Sequence, residues 1–221
     1  MSGIVYNGNT GYNFKINGVT PDVYYNGVKI WPTGPNYNPL GLPANTIRVK
    51  FKPGFTPAMG DSRTLVDGGN NIWDIYKASN NWQQLLKTSG GYGYNYNLLQ
   101  ILGANTTNVT SFNNLCNTEA GLTATEIFDT HNATDLAAMF YYCSGLQGIP
   151  LFPTDNATNV GSMFEYCRSV NGGALALYNQ MTAQSNPPTS HSQTFGNCGV
   201  DTVNGAAELA QIPFSWGGPW T

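Results

Sequence analysis

The sequence predicts an α+β protein built as a small N-terminal β-hairpin module, a Pro-rich linker, and a short irregular repeat solenoid with a β-rich lead-in. Three observations predict it. Residues 1–32 alternate β-prone runs with Asn-Gly dipeptides, and prolines then crowd residues 33–45 and their edge. From Asn105 onward a twelve-residue pattern that closes on cysteine recurs three times.

The hairpin module rests on Ile4-Val5-Tyr6, Phe14-Lys15-Ile16, Val23-Tyr24-Tyr25 and Val28-Lys29-Ile30-Trp31. Asn7-Gly8, Asn17-Gly18 and Asn26-Gly27 lie between them, and Asn-Gly tolerates the positive φ of a tight hairpin turn. So small a core is expected to dock on something larger, either this chain or another subunit. Pro32, Pro35, Pro39 and Pro43 make residues 33–45 a semi-rigid extended linker and a domain boundary. Residues 46–104 read as a lead-in and cap. Ile47–Phe51 alternates as a strand, Thr64-Leu65-Val66 is a second, and Leu98–Leu102 is an apolar run. Between them, Asn80–Leu86 reads as a short Asn-capped helix with Trp82, Leu85 and Leu86 on one face.

Residues 105–221 carry the repeat. Asn105–Cys116 reads NTTNVTSFNNLC, Asn132–Cys143 reads NATDLAAMFYYC, and Asn156–Cys167 reads NATNVGSMFEYC. Each opens on Asn, has Thr two positions later and an aliphatic residue (Val109, Leu136, Val160) four positions later, and ends on Cys. Phe195 and Cys198 preserve the Phe-x-x-Cys of Phe140/Cys143 and Phe164/Cys167 in an eroded fourth copy. Each unit is expected to supply a helix-like segment (DLAAMFYYC, NVGSMFEYC) and a strand-like one (Leu146–Phe152), which bury their apolar sides by stacking. Cys116, Cys143, Cys167, Cys198, Met139, Phe140, Met163, Phe164 and Phe195 are the expected repeat core. Asn-x-Thr is expected to cap the helical segments; the same triplet also matches a glycosylation sequon.

The spacing aliphatic-x-x-Met-Phe-x-x-Cys-x-x-Leu, complete at Leu136–Leu146 and partial at Val160–Val170, resembles the BspA-type leucine-rich repeats of bacterial surface and gut-phage proteins. VYYNGVKIWP and the lead-in from Ile47 are similar to modules of phage structural proteins. Asn113 departs from the pattern where Phe is expected, and the fourth unit lacks its Met. The resemblance implies a leucine-rich-repeat solenoid with a surface-exposed interaction role and no catalysis, and it names no ligand. With a first segment that has neither a basic n-region nor an apolar h-region, the expectation is a phage head-fibre, decoration or tail-associated protein on the virion surface. It would attach to other virion proteins through residues 1–32, face a host glycan or protein, and assemble as a homo-oligomer, a trimer in the first instance. A bacterial cell-surface adhesin and a glycan-processing enzyme are the alternatives.

Composition restricts the chemistry. Only 10% of the 221 residues are charged, against about 25% in ordinary domains, and the net charge is −3. No Lys/Arg cluster offers a nucleic-acid footprint, and no apolar run is long enough to span a bilayer. The four cysteines have no metal-ligand spacing, so no metal or cofactor is expected; they read as buried rungs, with disulfides between adjacent units as the alternative. His131 beside Asp129 and His191 between Ser190 and Ser192 lack a nucleophile elbow, so no catalytic residue is assigned. Asp67-Gly-Gly-Asn-Asn reads as a turn rather than a calcium loop. The candidate ligand contacts are Tyr92, Tyr94 and Tyr96, alternate tyrosines in a Gly/Asn-rich loop, with Trp216 and Trp220 near the C-terminus. Equally, the tyrosines read as a strand face packed on the repeats, and the tryptophans as a seal on the last unit.

Overall fold

The computed structural model describes residues 23–25, 28–31, 37–88 and 94–219. The chain divides into two units, Met1–Asn36 and Tyr37–Thr221. In the first, β1 (Val23–Tyr25) pairs antiparallel with β2 (Val28–Trp31). The expected runs at Ile4–Tyr6 and Phe14–Ile16 lie outside the described residues.

The second unit opens with a mixed sheet in the order β4-β5-β3-β6-β7. Its strands are β3 (Thr46–Phe51), β4 (Ser62–Asp67), β5 (Ile72–Tyr76), β6 (Leu98–Asn105) and β7 (Ala124–Thr125). Strand β3 is central, paired antiparallel with β5 on one side and β6 on the other. Ile47, Val49 and Phe51 are buried on one face, while Arg48 on the other makes a two-pronged ion pair with Asp74 of β5, at 2.7 and 2.8 Å. At the β4–β5 turn, Asp67 accepts from the Gly69 and Asn70 N–H groups and from the Asn70 side-chain amide. Those Asn70 hydrogen bonds hold the Asp67 carboxyl below its usual range.

The expected leucine-rich-repeat solenoid is not what forms. Regular secondary structure among the described residues of this unit is the mixed five-stranded sheet, two short helices and one 3-10 turn. DLAAMFYYC and NVGSMFEYC are successive turns, not helices, and Leu146–Phe152 is not a strand. The reason lies in the backbone: Asn114/Thr118, Ala138/Tyr142, Ser162/Tyr166 and Gln193/Asn197 all have φ between 52° and 66°. A left-handed residue every fourth position interrupts both helix and strand. Successive repeats are joined instead by single parallel bridges, Asn81↔Ser111↔Asp135↔Asn159↔Ser190. The two helices lie between and after the last rungs. In α1 (Ala174–Thr182), Ala174, Leu177 and Met181 are buried at helical spacing. Glu208 of α2 (Val203–Leu209) accepts from the Leu175 N–H and so satisfies the start of α1, whose cap position is a glycine.

The bridges correct three further expectations. Asn80–Leu86 is not a helix but the first rung, with the Trp82, Gln84 and Leu86 N–H groups bonded to the carbonyls of Ser111, Asn113 and Leu115. The repeat beginning at Asn105 is in register three residues later than its cysteine implies, since Ser111 matches Asp135 and Asn159. Cys116 therefore stacks in the column of Phe140, Phe164 and Phe195, and Glu119 occupies the column of Cys143, Cys167 and Cys198. Finally, Asn-x-Thr caps no helix. The Asn132 and Asn156 side chains donate to the carbonyls of Thr107 and His131 one rung back, and Thr134 and Thr158 donate to Thr110 and Thr134.

The core runs along the stack without a break. The Phe140 and Phe164 rings stack at 5.2 Å, Phe164 and Phe195 at 6.1 Å. Met139, Met163 and the four cysteines are buried, and all four thiols are free. Cys143 Sγ lies 4.0 Å from Cys116 Sγ. Burial pushes the Cys116, Cys167 and Cys198 thiols up, so they pack as neutral apolar groups rather than as nucleophiles.

Candidate binding surface

One flank of the stack gathers tyrosines. Tyr142 and Tyr166 occupy the same position in consecutive rungs, the residue before the column cysteine, and their rings stack at 4.2 Å and 20°. Tyr141 meets Tyr142 at 4.7 Å and Tyr166 at 6.1 Å. Tyr94 reaches in from the segment before β6 and meets Tyr142 at 5.6 Å while remaining 56% exposed. Burial first, then neighbouring charges and phenols, holds the Tyr141 and Tyr142 hydroxyls above the ordinary value, so both are neutral donors at physiological pH. Glu165 sits between the tyrosines in sequence, and Arg168 follows on the same rung, paired with Asp201 at 2.7 and 2.9 Å.

The backbone under this patch is the left-handed position of the rung. Tyr142 has φ 58° and Tyr166 φ 62°. The equivalent residues in the flanking rungs are Thr118 and Asn197, and Asn is the side chain that tolerates this conformation best. A bulky aromatic there costs about 1–2 kcal/mol relative to ordinary backbone. The same conformation recurs at Asn114, Thr118, Ala138, Ser162, Gln193 and Asn197, so it belongs to the rung, which the tyrosines occupy at that cost.

The structure places the sequence candidates unequally. Tyr94 joins the patch. Tyr96 is 59% exposed, and its backbone passes so close to Gly121 that a Cβ there would lie 2.8 Å from the Tyr96 Cα. Tyr92 and Trp220 lie outside the described residues. Trp216 is buried in a 3-10 turn (Phe214–Trp216), stacked on His191 at 4.2 Å and edge-on to Tyr178, and its carbonyl accepts from the Phe195 N–H. It closes the last rung. Sequence reasoning passed over Tyr141, Tyr142 and Tyr166; the signal was present in FYYC and FEYC, a tyrosine before cysteine in two successive copies.

Two other places gather polar groups or open a groove. His131 stands between two carboxylates, Nδ1 at 2.7 Å from Asp129 and Nε2 at 3.4 Å from Asp155, with the Tyr37 ring edge-on at 5.2 Å. The imidazole fills the gap in which a water or glycosidic oxygen would have to sit between paired acids. A shallow groove of about 520 Å³ runs between β7, Gln147–Pro150 and Gly172–Gly173, and no ionisable side chain lines it. Among the described residues no group of three or more His, Cys, Asp or Glu side chains is placed to hold a metal ion. No family model matches the chain, and neither a curated protein nor a solved structure matches it.

Proposed function

We propose that this chain is a non-enzymatic phage virion protein, a head-fibre, decoration or tail-associated appendage, and that its tyrosine patch binds a glycan of the host surface. The observation that carries the binding role is the stacked, half-buried Tyr142–Tyr166 pair with the exposed Tyr94 ring beside it. Aromatic faces and edges take the C–H faces of pyranose rings, and the neutral hydroxyls beside them donate to and accept from sugar hydroxyls. Glu165 and the Arg168–Asp201 pair supply further polar groups at the rim. The scarcity of charge fits a contact made at short range rather than one steered by a field.

Binding to host cells tests the ligand class. Periodate, which cleaves vicinal diols, is expected to abolish binding, and protease treatment of the cells to leave it intact; the opposite result makes the ligand a protein and overturns the glycan reading. Replacing both tyrosines (Tyr142→Asn with Tyr166→Asn) is expected to weaken binding at least about tenfold, since about 1.4 kcal/mol of lost stacking has that effect. Mass spectrometry of purified particles tests the virion assignment directly: absence of the protein overturns it.

A further inference from the structure

We propose that Glu119 is the positioning residue of the tyrosine patch, its buried carboxyl clamping Thr88 and Leu98 on either side of Tyr94 and making the order of the patch depend on pH. The inference rests on the patch being the binding surface only for its consequence; the clamp itself is a matter of geometry.

Glu119 is fully buried, in the column that Cys143, Cys167 and Cys198 fill in later rungs. A thiol packs that column three times, so packing alone does not require a carboxyl there. What the carboxyl adds is reach toward donors. The Thr88 N–H donates to Oε1 at 2.6 Å, the Thr88 hydroxyl lies 2.9 Å from both carboxyl oxygens, and the Leu98 N–H also donates. Thr88 follows the first rung by two residues and Leu98 begins β6, so one side chain ties together the two sides of the chain that present Tyr94. The backbone completes the hold: Asn95 bridges Glu119 in parallel, its N–H donates to the Thr118 carbonyl at 2.9 Å, and its carbonyl accepts from Gly121 at 3.0 Å.

The clamp has two states. Protonated, the acid donates to the Thr88 hydroxyl while its other oxygen accepts the Thr88 N–H, and every polar atom is satisfied without buried charge. Ionised, it accepts all the donors but must stay dehydrated beside the Cys116 thiol, with the Lys87 ammonium as the charged group that favours this form. Burial dominates and pushes the Glu119 carboxyl up to about 7. As pH rises through that value the ionised form is drawn toward water, and Thr88, Asn95 and Leu98 loosen together.

Amide hydrogen exchange on the full chain tests this without any ligand. After correction for intrinsic rates, protection at Thr88, Asn95 and Leu98 is expected to fall about tenfold between pH 6 and pH 8. Glu119→Gln, which preserves the shape and hydrogen bonds but cannot ionise, is expected to hold those amides protected across the range. Glu119→Cys restores the column residue and is expected to leave them fast at every pH while the Phe140 and Phe164 amides stay protected. Wild-type protection that does not change with pH overturns the proposal, as does a Glu119→Gln profile that follows the wild type. Loss of host binding by the tyrosine variants is read separately, so a failed clamp and a failed patch give different results.

Discussion

At Tyr142 and Tyr166 the backbone angle allows the proposed binding role to be tested apart from stability. Replacing either with Asn removes ring stacking of about 0.5–1.5 kcal/mol but relieves about 1–2 kcal/mol of left-handed strain. The two effects nearly cancel, so each variant is expected to melt within about 4 °C of the parent, as differential scanning calorimetry would show, while the proposed host binding is expected to weaken. A core truncation behaves in the opposite way, which makes this pair diagnostic. Glu119 sets a second residue-scale expectation. Its carboxyl is raised from the ordinary 4.5 to about 7 in the folded chain, so between those values the folded state keeps a proton that the unfolded state releases. The unfolding free energy therefore falls as pH rises through this window, by at most about 1.4 kcal/mol per unit. Urea denaturation at pH 5 and pH 8 measures it, and the difference should shrink in Glu119→Gln.

At the scale of the element, the rung rather than the helix or strand is the unit of this fold. Each rung binds the next through a few backbone bonds and a column of apolar side chains, so a column residue matters more than any local propensity. Phe140 lies between Phe164 at 5.2 Å and Phe152 at 5.8 Å, with no exposed surface. Phe140→Ala is expected to cost about 3–5 kcal/mol, seen as a lowered urea midpoint with an unchanged slope. The rung also explains the failed expectation of helices in DLAAMFYYC and NVGSMFEYC. Their composition suits a helix, but Ala138, Tyr142, Ser162 and Tyr166 take left-handed φ because the Leu136, Ala138, Phe140 and Tyr142 N–H groups all bond across to the next rung. Cross-rung bonding satisfies the same groups a helix would, and it buries the column as well. In the other direction, ALALYNQMT carries its helix in the sequence: Ala174, Leu177 and Met181 fall on one buried face of Ala174–Thr182.

At the largest scale, the stacked rungs of residues 37–219 have two ends to cover. The mixed sheet and the first rung cover one end, and the 3-10 turn with Trp216 covers the other. Trp216→Ala is expected to cost about 3–5 kcal/mol and to raise hydrogen exchange first at Phe195 and Cys198, the rung it closes, before Phe140 responds. On the attachment role proposed for residues 1–32, particles assembled with a chain that lacks residues 1–36 are expected to lack the protein, as mass spectrometry would show.

Burial was largely legible in the order of amino acids, because apolar side chains recurring at a period of about 24 residues have few places to go except a shared core. The cysteines, Met139, Met163 and the phenylalanines followed from that. Register was not legible: Cys116 and Cys143 look equivalent in the chain, yet three residues separate their columns, since a core accepts Phe or Cys in one column and Cys or Glu in the next. The tyrosine patch depends on that register. Tyr94, Tyr142 and Tyr166 are far apart in sequence and meet only when hydrogen bonds between rungs set the rise from one to the next. The Glu119 clamp is one step further removed, because a carboxylate in a list of residues carries no sign of its burial, and its titration follows from what surrounds it.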